Sequence, residues 1–275
     1  MAKIDTDKIF SYLKKLKKNP PHFIIIEGGT KSFRQEVCLF WACLVNCLSD
    51  KTSPCGKCQV CESIKEKRSK GLLWFEGDDI RSIKKDEVYD MKNLMSQIPE
   101  GCRFRVFVFS EANKLTLSAG NSMLKLLEEP LPYNLFIFSV PNRFLLLPTI
   151  VSRSYVFTLG WGMETEEDSV VIRWTKELLH FWKSAKGLFQ SLDKEKINED
   201  LVVKLSLFNL RHLMFLLTKK ESIFTSLISI SDTEKIFKLI NLFNKSLELS
   251  QYSIKPAHIL QWIGINGYSI INDYS

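Results

Sequence analysis

The segment HFIIIEGGTKS, residues 22–32, decides how the first half of the chain is interpreted. Its apolar run, Phe23 to Ile26, is rich in β-branched residues and predicts a buried parallel strand. Gly28 and Gly29 then turn the chain, and residues 32–47 have the pattern of a helix. A strand, a glycine turn and a helix in this order are typical of a phosphate-binding loop.

The loop nevertheless lacks the groups that bind a nucleotide. The motif G-x-x-x-x-G-K-[ST] supplies backbone N–H groups and a lysine to the phosphates and a hydroxyl to magnesium. Counted from Gly28, the second glycine is Phe33, the lysine is Arg34 and the hydroxyl residue is Gln35. The pair Lys31-Ser32 follows the first glycine too closely for a loop that wraps a triphosphate. The sequence therefore predicts a degenerate P-loop.

Alternating strands and helices continue to residue 157. The segment FRVFVF (residues 104–109) predicts a second buried strand, residues 118–129 a helix ended by Pro130, and residues 135–140 a third strand. Residues 72–75 are a further candidate strand, and 84–97 a helix with Val88, Met91, Leu94 and Met95 on one face. This alternation predicts an α/β domain with a mostly parallel sheet covered on both faces.

The end of the FRVFVF strand carries a second degenerate motif. An ATPase places an acidic pair there, and its aspartate coordinates the metal ion. Here the residues are Ser110 and Glu111, so that a serine stands at the metal-coordinating position. Two altered motifs in the right order predict a nucleotide-binding fold that no longer hydrolyses nucleotide.

The second half of the chain has a different character. Its apolar periodicity predicts helices at 165–192, 196–218, 221–229, 232–249 and 255–272, with almost no strand signal. We therefore expect an α/β domain over residues 1–160 and an all-α region over residues 161–275.

Four cysteines lie close together in the first half: Cys47, Cys55, Cys58 and Cys61, the last three in the segment SPCGKCQVC. No apolar run reaches the roughly 20 residues that span a bilayer, and the N-terminus has no secretory pattern. We therefore predict a cytoplasmic protein without membrane contact, in which cysteines serve as thiols or metal ligands rather than disulfides.

The net charge of +7 and the pI of about 8.9 mildly favour an acidic partner such as nucleic acid. Basic residues are dense at 14–18 and again at 65–70. A solvated helix face explains the first cluster as well as a phosphate track does.

Several further segments together resemble the clamp-loader subunits of bacterial DNA polymerase III. They are Asn46-Cys47, PCGKCQVC (54–61), FRVFVFSEANKL (104–115), NSMLKLLEEP (121–130) and TIVSR (149–153). They follow the family order PCGxCxxC, DExxxL, NALLKxLEEP, TIxSRC at nearly the same spacing. This resemblance covers residues 20–157 and implies a RecA-like AAA+ domain with an inserted zinc module at 47–61.

Within that family, the degenerate loop and Ser110 resemble the inactive delta-prime subunit rather than the ATPase subunits tau and gamma. Val140-Pro141 also stands where active members carry a residue that senses the γ-phosphate. The resemblance implies no ATP binding and no enzyme activity of the chain itself. It implies a hetero-oligomer with tau/gamma and delta subunits, which contacts the sliding clamp and primer-template DNA through the complex.

The resemblance also assigns roles to individual residues. Cys47, Cys55, Cys58 and Cys61 match a structural Zn²⁺ site with four thiolates and no open position. Arg153 matches the arginine of the SRC motif, which acts as an arginine finger in the ATP site of a neighbouring subunit. The helical region corresponds to the lid and collar that join subunits into a ring.

Two other functions remain open from the residues alone. An active P-loop ATPase would use Lys31 and Ser32. A zinc-dependent nucleic-acid-binding module would place the basic loop at 65–70 on a phosphate backbone. The first requires ATP binding, and the second requires salt-dependent DNA binding by the chain alone.

Overall fold

The computed structural model describes residues 6–49, 54–77, 83, 91–160, 169–188, 192, 197–218, 222–224, 232–252 and 254–272. The chain divides into two compact units, Met1–Gly162 and Met163–Ser275. Two predicted helices lie partly outside the described residues: the helix at 84–97 over its residues 84–90, and the helix at 221–229 over most of its length.

The first unit is built on a five-stranded sheet in the order β2-β3-β4-β1-β5, and all four pairings are parallel. Its strands are β1 (Phe23–Gly28), β2 (Leu72–Glu76), β3 (Arg105–Ser110), β4 (Asn134–Val140) and β5 (Tyr155–Leu159). Every residue of β1, β3 and β4 is buried. These three strands occupy the middle of the sheet, as their continuous apolar runs predict.

Helices connect and cover these strands. They are α1 (Thr6–Leu16), α2 (Lys31–Asn46), α3 (Gln59–Lys65), α4 (Leu117–Glu128) and α5 (Pro148–Val151). Thr30 caps α2 and Thr116 caps α4, each by accepting the amide N–H three residues ahead. The core between α2 and the sheet includes Trp41, which is fully buried.

The structure differs from the sequence-based expectation in four places of this unit. Strand β5 and the helices α3 and α5 are not predicted from the sequence, because they have only five, seven and four residues, too few for a clear periodicity. Leu94 does not share the buried face of Met91 and Met95, since its side chain is 37% exposed. Met91 and Met95, four positions apart, lie on one helix face and are both buried.

The second unit consists of helices in all its described elements: α6 (Ser169–Ser184), α7 (Glu199–Leu217), α8 (Thr233–Leu249) and α9 (Pro256–Asn272). The predicted helix at 165–192 is too long, because α6 ends at Ser184 and Ala185 adopts a positive φ. The predicted fold class, a parallel α/β domain followed by an all-α region, is confirmed. No described helix is both long and apolar enough to cross a membrane.

Candidate functional site

The carboxyl edge of the sheet brings the two degenerate motifs together. Strand β1 ends at Gly28, β3 ends at Ser110, and β4 lies between them. Parallel α/β sheets bind ligands at this edge, beyond the carboxyl ends of the strands. The residues that the sequence assigns to a phosphate loop and to a metal-binding strand therefore face one position.

A protein side chain, that of Arg34, occupies this position. Only 3% of Arg34 is exposed. Its NH1 group donates to the carbonyl oxygens of Gly28 and Gly29, each at 3.1 Å, and its Nε donates to Ser139 Oγ at 3.3 Å. Its NH2 group forms an ion pair with Glu111, the residue after β3. One guanidinium thus joins the ends of three strands.

A second group of contacts lies beside Arg34. The Gln35 amide donates to Ser110 Oγ and to Glu76 Oε1, both at 3.1 Å. Lys31 Nζ lies 3.0 Å from the same Glu76 oxygen. The hydrogen bond from Lys31 lowers the pKa of the Glu76 carboxyl, against the opposing effect of partial burial. Each cation of the loop therefore has its own glutamate.

The backbone of the loop is also engaged by the protein itself. Two carbonyl oxygens turn toward Arg34, whereas a phosphate cradle requires converging N–H groups. The Gly28 amide donates to the Pro141 carbonyl at 3.0 Å, and the Phe33 amide donates to Thr30 Oγ1 at 3.1 Å. A Cβ on Gly28, whose φ is +78°, would lie 2.6 Å from the Leu159 carbonyl oxygen, so the turn requires glycine.

A buried glutamate links the loop to the segment after β4. Glu27 is 4% exposed. Its carboxylate accepts the backbone N–H of Arg143 at 2.8 Å, the guanidinium of Arg143 at 2.5 Å and the Thr158 hydroxyl at 2.7 Å. These bonds fix the start of the segment that leads through α5 to Arg153.

Arg153 lies at the surface, in the turn between α5 and β5. Its Nε donates to Glu128 Oε1 at 2.9 Å, and its NH2 group donates to the same oxygen. Its NH1 group donates to the Thr149 carbonyl at 2.7 Å and to Ser152 Oγ at 3.2 Å. The side chain is 34% exposed, and that of Glu128 is 48% exposed.

The four cysteines that the sequence singles out converge on one point. The sulfur atoms of Cys47, Cys55, Cys58 and Cys61 all lie within 4.8 Å of one another. Tetrahedral zinc with four thiolates at about 2.3 Å requires sulfur separations of about 3.8 Å. The arrangement therefore fits a four-thiolate ion. No disulfide joins cysteines in the described part of the chain.

Backbone N–H groups surround these sulfurs. The Cys55 and Ser49 amides donate to Cys47 Sγ at 3.3 and 3.4 Å, and they lower the pKa of this thiol despite its partial burial. The Leu48 amide similarly lowers the pKa of Cys58 to about 6, whereas burial raises the pKa of Cys61. N–H donors of this kind stabilise thiolates and therefore support metal ligation.

Two further cysteines lie in the core of α2. Burial raises the pKa of Cys38 to about 12 and that of Cys43 to about 11. Both are fully or almost fully buried, and such thiols behave as small apolar residues.

The basic loop beside the cysteines engages its charges within the chain. Lys65 Nζ donates to the Gly56 carbonyl at 2.9 Å, and Lys67 Nζ lies 3.7 Å from the centre of the Trp74 ring. Arg68 forms an ion pair with Glu66, and Lys70 forms one with Glu100 at 3.2 Å. Arg68 and Lys70 are therefore paired with carboxylates, whereas Lys65 and Lys67 contact neutral groups and keep their charge, so that the structure neither removes nor supports a nucleic-acid contact of this loop.

The sheet and its filled phosphate position define a protein of the parallel α/β nucleotide-binding class. Residues 6–160 match the family described as DNA polymerase III, delta subunit. The match covers more than half of the chain, which therefore belongs to this family of clamp-loader AAA+ subunits.

Individual proteins with similar sequences carry related descriptions. The DNA polymerase III subunit gamma/tau of Mycobacterium tuberculosis is 31% identical over 112 residues, which make up 40% of this chain and 19% of that protein. The DNA polymerase III subunit delta' of Haemophilus influenzae is 26% identical over 132 residues, 48% of this chain and 39% of that protein. Less than half of each relative is therefore matched.

Similarity to solved structures is weaker. The crystal structure of a DNA polymerase III gamma subunit-related protein from Thermotoga maritima is 15% identical with a TM-score of 0.43, over 94% of this chain and 98% of that one.

Some site residues carried no sequence signal of their own. Glu76, Ser139 and Glu27 complete the carboxyl edge. Glu128, which holds Arg153, lies in the NSMLKLLEEP segment, but that segment does not indicate this contact. Each is an ordinary residue within or at the end of a predicted element. The strand order places β2 and β4 on either side of β3, and it could therefore have indicated that Glu76 and Ser139 lie near Ser110.

Proposed function

We propose that the chain is a delta-prime-type subunit of the DNA polymerase III clamp loader that neither binds nor hydrolyses ATP. It acts beside tau/gamma and delta subunits, and it contacts the sliding clamp and primer-template DNA as part of that complex. Its α/β unit presents Arg153 to a neighbouring ATPase subunit, and its helical unit, residues 161–275, serves as the lid and collar region for assembly.

The observation that carries this proposal is the position of Arg34. A triphosphate with magnesium needs open N–H groups, a free cation and an aspartate for the metal. Here the guanidinium of Arg34 is bonded to Glu111, to Ser139 and to two carbonyl groups of the loop. Ser110 at the metal position is held by Gln35. ATP would have to break all these contacts to enter.

The surface position of Arg153 supports a role in trans. A finger must reach a site on another chain, and the guanidinium lies in an exposed turn at the end of α5. An arginine is suited to this role because its planar donors match the oxygens of a phosphate. The similarity to both delta' and gamma/tau subunits is consistent with a partner of the same family.

The cysteine cluster has a structural role in this proposal. Four thiolates fill the coordination sphere of zinc, so that an ion there holds the loop after α2 to α3 and takes no part in chemistry. The residues that would hold it are Cys47, Cys55, Cys58 and Cys61.

Nucleotide binding by the isolated chain tests the central claim. Titration with ATP and magnesium, followed by calorimetry, should give no binding in the micromolar range, and no hydrolysis above background. An active ATPase that uses Lys31 would instead bind ATP in this range, and Lys31→Ala would abolish it. Substitution of Lys31 should leave the activity of the reconstituted loader unchanged under our proposal.

Metal analysis tests the zinc assignment. Protein purified under reducing conditions without chelator should contain about one zinc per chain. Cys58→Ser should lose this zinc and increase hydrogen exchange in α3, because a structural site needs all four ligands. Cys102→Ser is the matched control, since Cys102 lies outside the cluster. A zinc content near zero in the fresh wild-type protein would contradict the assignment.

A further inference from the structure

The contacts of Arg153 leave few of its donors available to another molecule. An arginine side chain has five N–H donors. Four of them are used within the chain: two on Glu128 Oε1, one on the Thr149 carbonyl and one on Ser152 Oγ. A phosphate typically accepts two parallel bonds from a guanidinium. Arg153 can offer two donors only after one of its internal bonds is broken.

Glu128 is the partner most suited to give way. The Thr149 carbonyl and the Ser152 hydroxyl belong to the same turn as Arg153, and therefore move with it. Glu128 belongs to a different element, the last turn of α4. Both side chains of the ion pair are partly exposed, so water competes for them and the pair is weak.

The spacing of the two charges is fixed by the packing of α4 against α5. A Cβ added to Gly120 in α4 would lie 3.2 Å from Leu147 Cδ1 and 3.7 Å from Ile150 Cδ1, so the two helices approach closely. Glu128 is thereby held beside the turn that carries Arg153. Its carboxylate offers the guanidinium an anionic oxygen, as a phosphate group would.

We propose that Glu128 is a latch for Arg153. In the free chain its carboxylate takes the place of the phosphate and holds the guanidinium against α4. When a neighbouring subunit presents a nucleotide, the more highly charged phosphate displaces Glu128, and Arg153 turns outward. This inference rests on the proposed function, since it describes how Arg153, the arginine finger, is held before a neighbouring subunit binds. Glu128 is a positioning residue, because it acts only through Arg153.

The first test uses ATP hydrolysis by the reconstituted loader. Glu128→Gln keeps the shape of the side chain and removes the charge that holds Arg153. We expect kcat/KM for ATP to rise by about two- to fivefold, the range set by a weak exposed ion pair. Glu129→Gln is the matched control: it removes a neighbouring carboxylate at the same helix end and should change nothing. In an Arg153→Ala background, Glu128→Gln should also have no effect.

A fall in kcat/KM with Glu128→Gln would overturn the latch, since Glu128 would then assist the reaction. The same rise in the Arg153→Ala background would overturn it as well, because the effect would not pass through the arginine. A change of equal size with Glu129→Gln would show that the loss of any carboxylate at this helix end has the same effect, and this result would also overturn the latch.

The second test uses the isolated chain and does not depend on any partner. The ¹H–¹⁵N signal of Arg153 Nε, assigned by its loss in Arg153→Lys, should shift in Glu128→Gln and stay in place in Glu129→Gln. An unchanged signal in Glu128→Gln would overturn the latch. If instead this signal shifts but Arg153→Ala leaves the loader's ATPase unchanged, the finger fails and the contact with Glu128 stands.

Discussion

Two arginine–glutamate pairs at different sites of the α/β unit have the same chemistry and opposite surroundings. Arg34 and Glu111 lie at the carboxyl edge of the sheet, with side chains 3% and 14% exposed. Arg153 and Glu128 lie at the surface near α5, with side chains 34% and 48% exposed. The first pair fills the position of a nucleotide, and the second retains a side chain that we propose acts on a nucleotide elsewhere.

Burial accounts for the different consequences of the two pairs. A charge out of water cannot leave its partner without a large desolvation cost, so that the pair of Arg34 resists opening. An exposed pair gains little, because water and salt compete with it. The pair of Arg153 can therefore open when a better anion arrives. In this fold a glutamate beside an arginine is a fixed structural link where it is buried and a reversible one where it is exposed.

The largest expected effect comes from the exposed arginine. Arg153→Ala in a reconstituted loader should reduce ATP hydrolysis at the site that it reaches by on the order of 10³-fold or more. Total turnover should fall less, because the other sites of the complex continue to work. The measurement is ATPase activity stimulated by clamp and DNA, with assembly followed by gel filtration.

Two observations would decide this prediction. The variant should fold and assemble normally, because its partners in the chain are a surface glutamate and its own turn. Normal assembly with wild-type ATPase activity would remove the finger assignment. Arg143→Ala is not a suitable control, since Arg143 holds the buried Glu27; Arg68→Ala, an exposed arginine paired with Glu66, is suitable.

The next largest effect concerns the buried arginine and acts on stability. Arg34→Ala leaves Glu111, the Ser139 hydroxyl and two carbonyl oxygens without their donor. Breaking a buried ion pair by removing one partner costs about 3–5 kcal/mol. We expect a loss of this size, measured as faster hydrogen exchange of the β1 amides, which pair with β4 and β5.

A companion variant separates charge from hydrogen bonding at this site. Glu111→Gln keeps an acceptor for the Arg34 guanidinium and removes the opposite charge. It should destabilise the sheet less than Arg34→Ala does, because the contacts with Ser139 and the loop remain. If Arg34→Ala gains micromolar ATP affinity with little loss of stability, the position of Arg34 would be a removable plug, and our comparison of the two pairs would fail.

Much of this unit was predictable from the sequence. Continuous β-branched and aromatic runs mark β1, β3 and β4, because strands buried on both faces leave no polar alternation. The substitutions at Arg34, Gln35 and Ser110 were visible because a phosphate site has a fixed spacing. The cysteine spacing indicated a common ion for the same reason.

The partners of these residues were not predictable. Glu111 stands next to a recognised motif, yet nothing in the sequence states that its carboxylate reaches Arg34, 77 positions away. Glu128 lies in the segment Glu128-Glu129-Pro130, which indicates a helix end with a proline stop or, alternatively, a catalytic carboxylate pair, but not a contact with Arg153, 25 positions away. Strand β5, at the sheet edge, has only five residues, of which two are buried, and this is too short a segment to distinguish from a loop.

The smallest expected effect completes the comparison, because it concerns stability at the exposed pair. Glu128→Gln should change the stability of the isolated chain by about 0–1 kcal/mol, since both side chains are partly solvated. Even this small difference should fall as salt is raised from low ionic strength, because the Debye length shortens to about 8 Å at 0.15 M. Hydrogen exchange of the α4 amides at two salt concentrations measures this stability difference, and Glu129→Gln is the matched control. A loss as large as that of Arg34→Ala would mean that Glu128 is a fixed structural partner of Arg153, and the guanidinium would then be no freer to leave than that of Arg34.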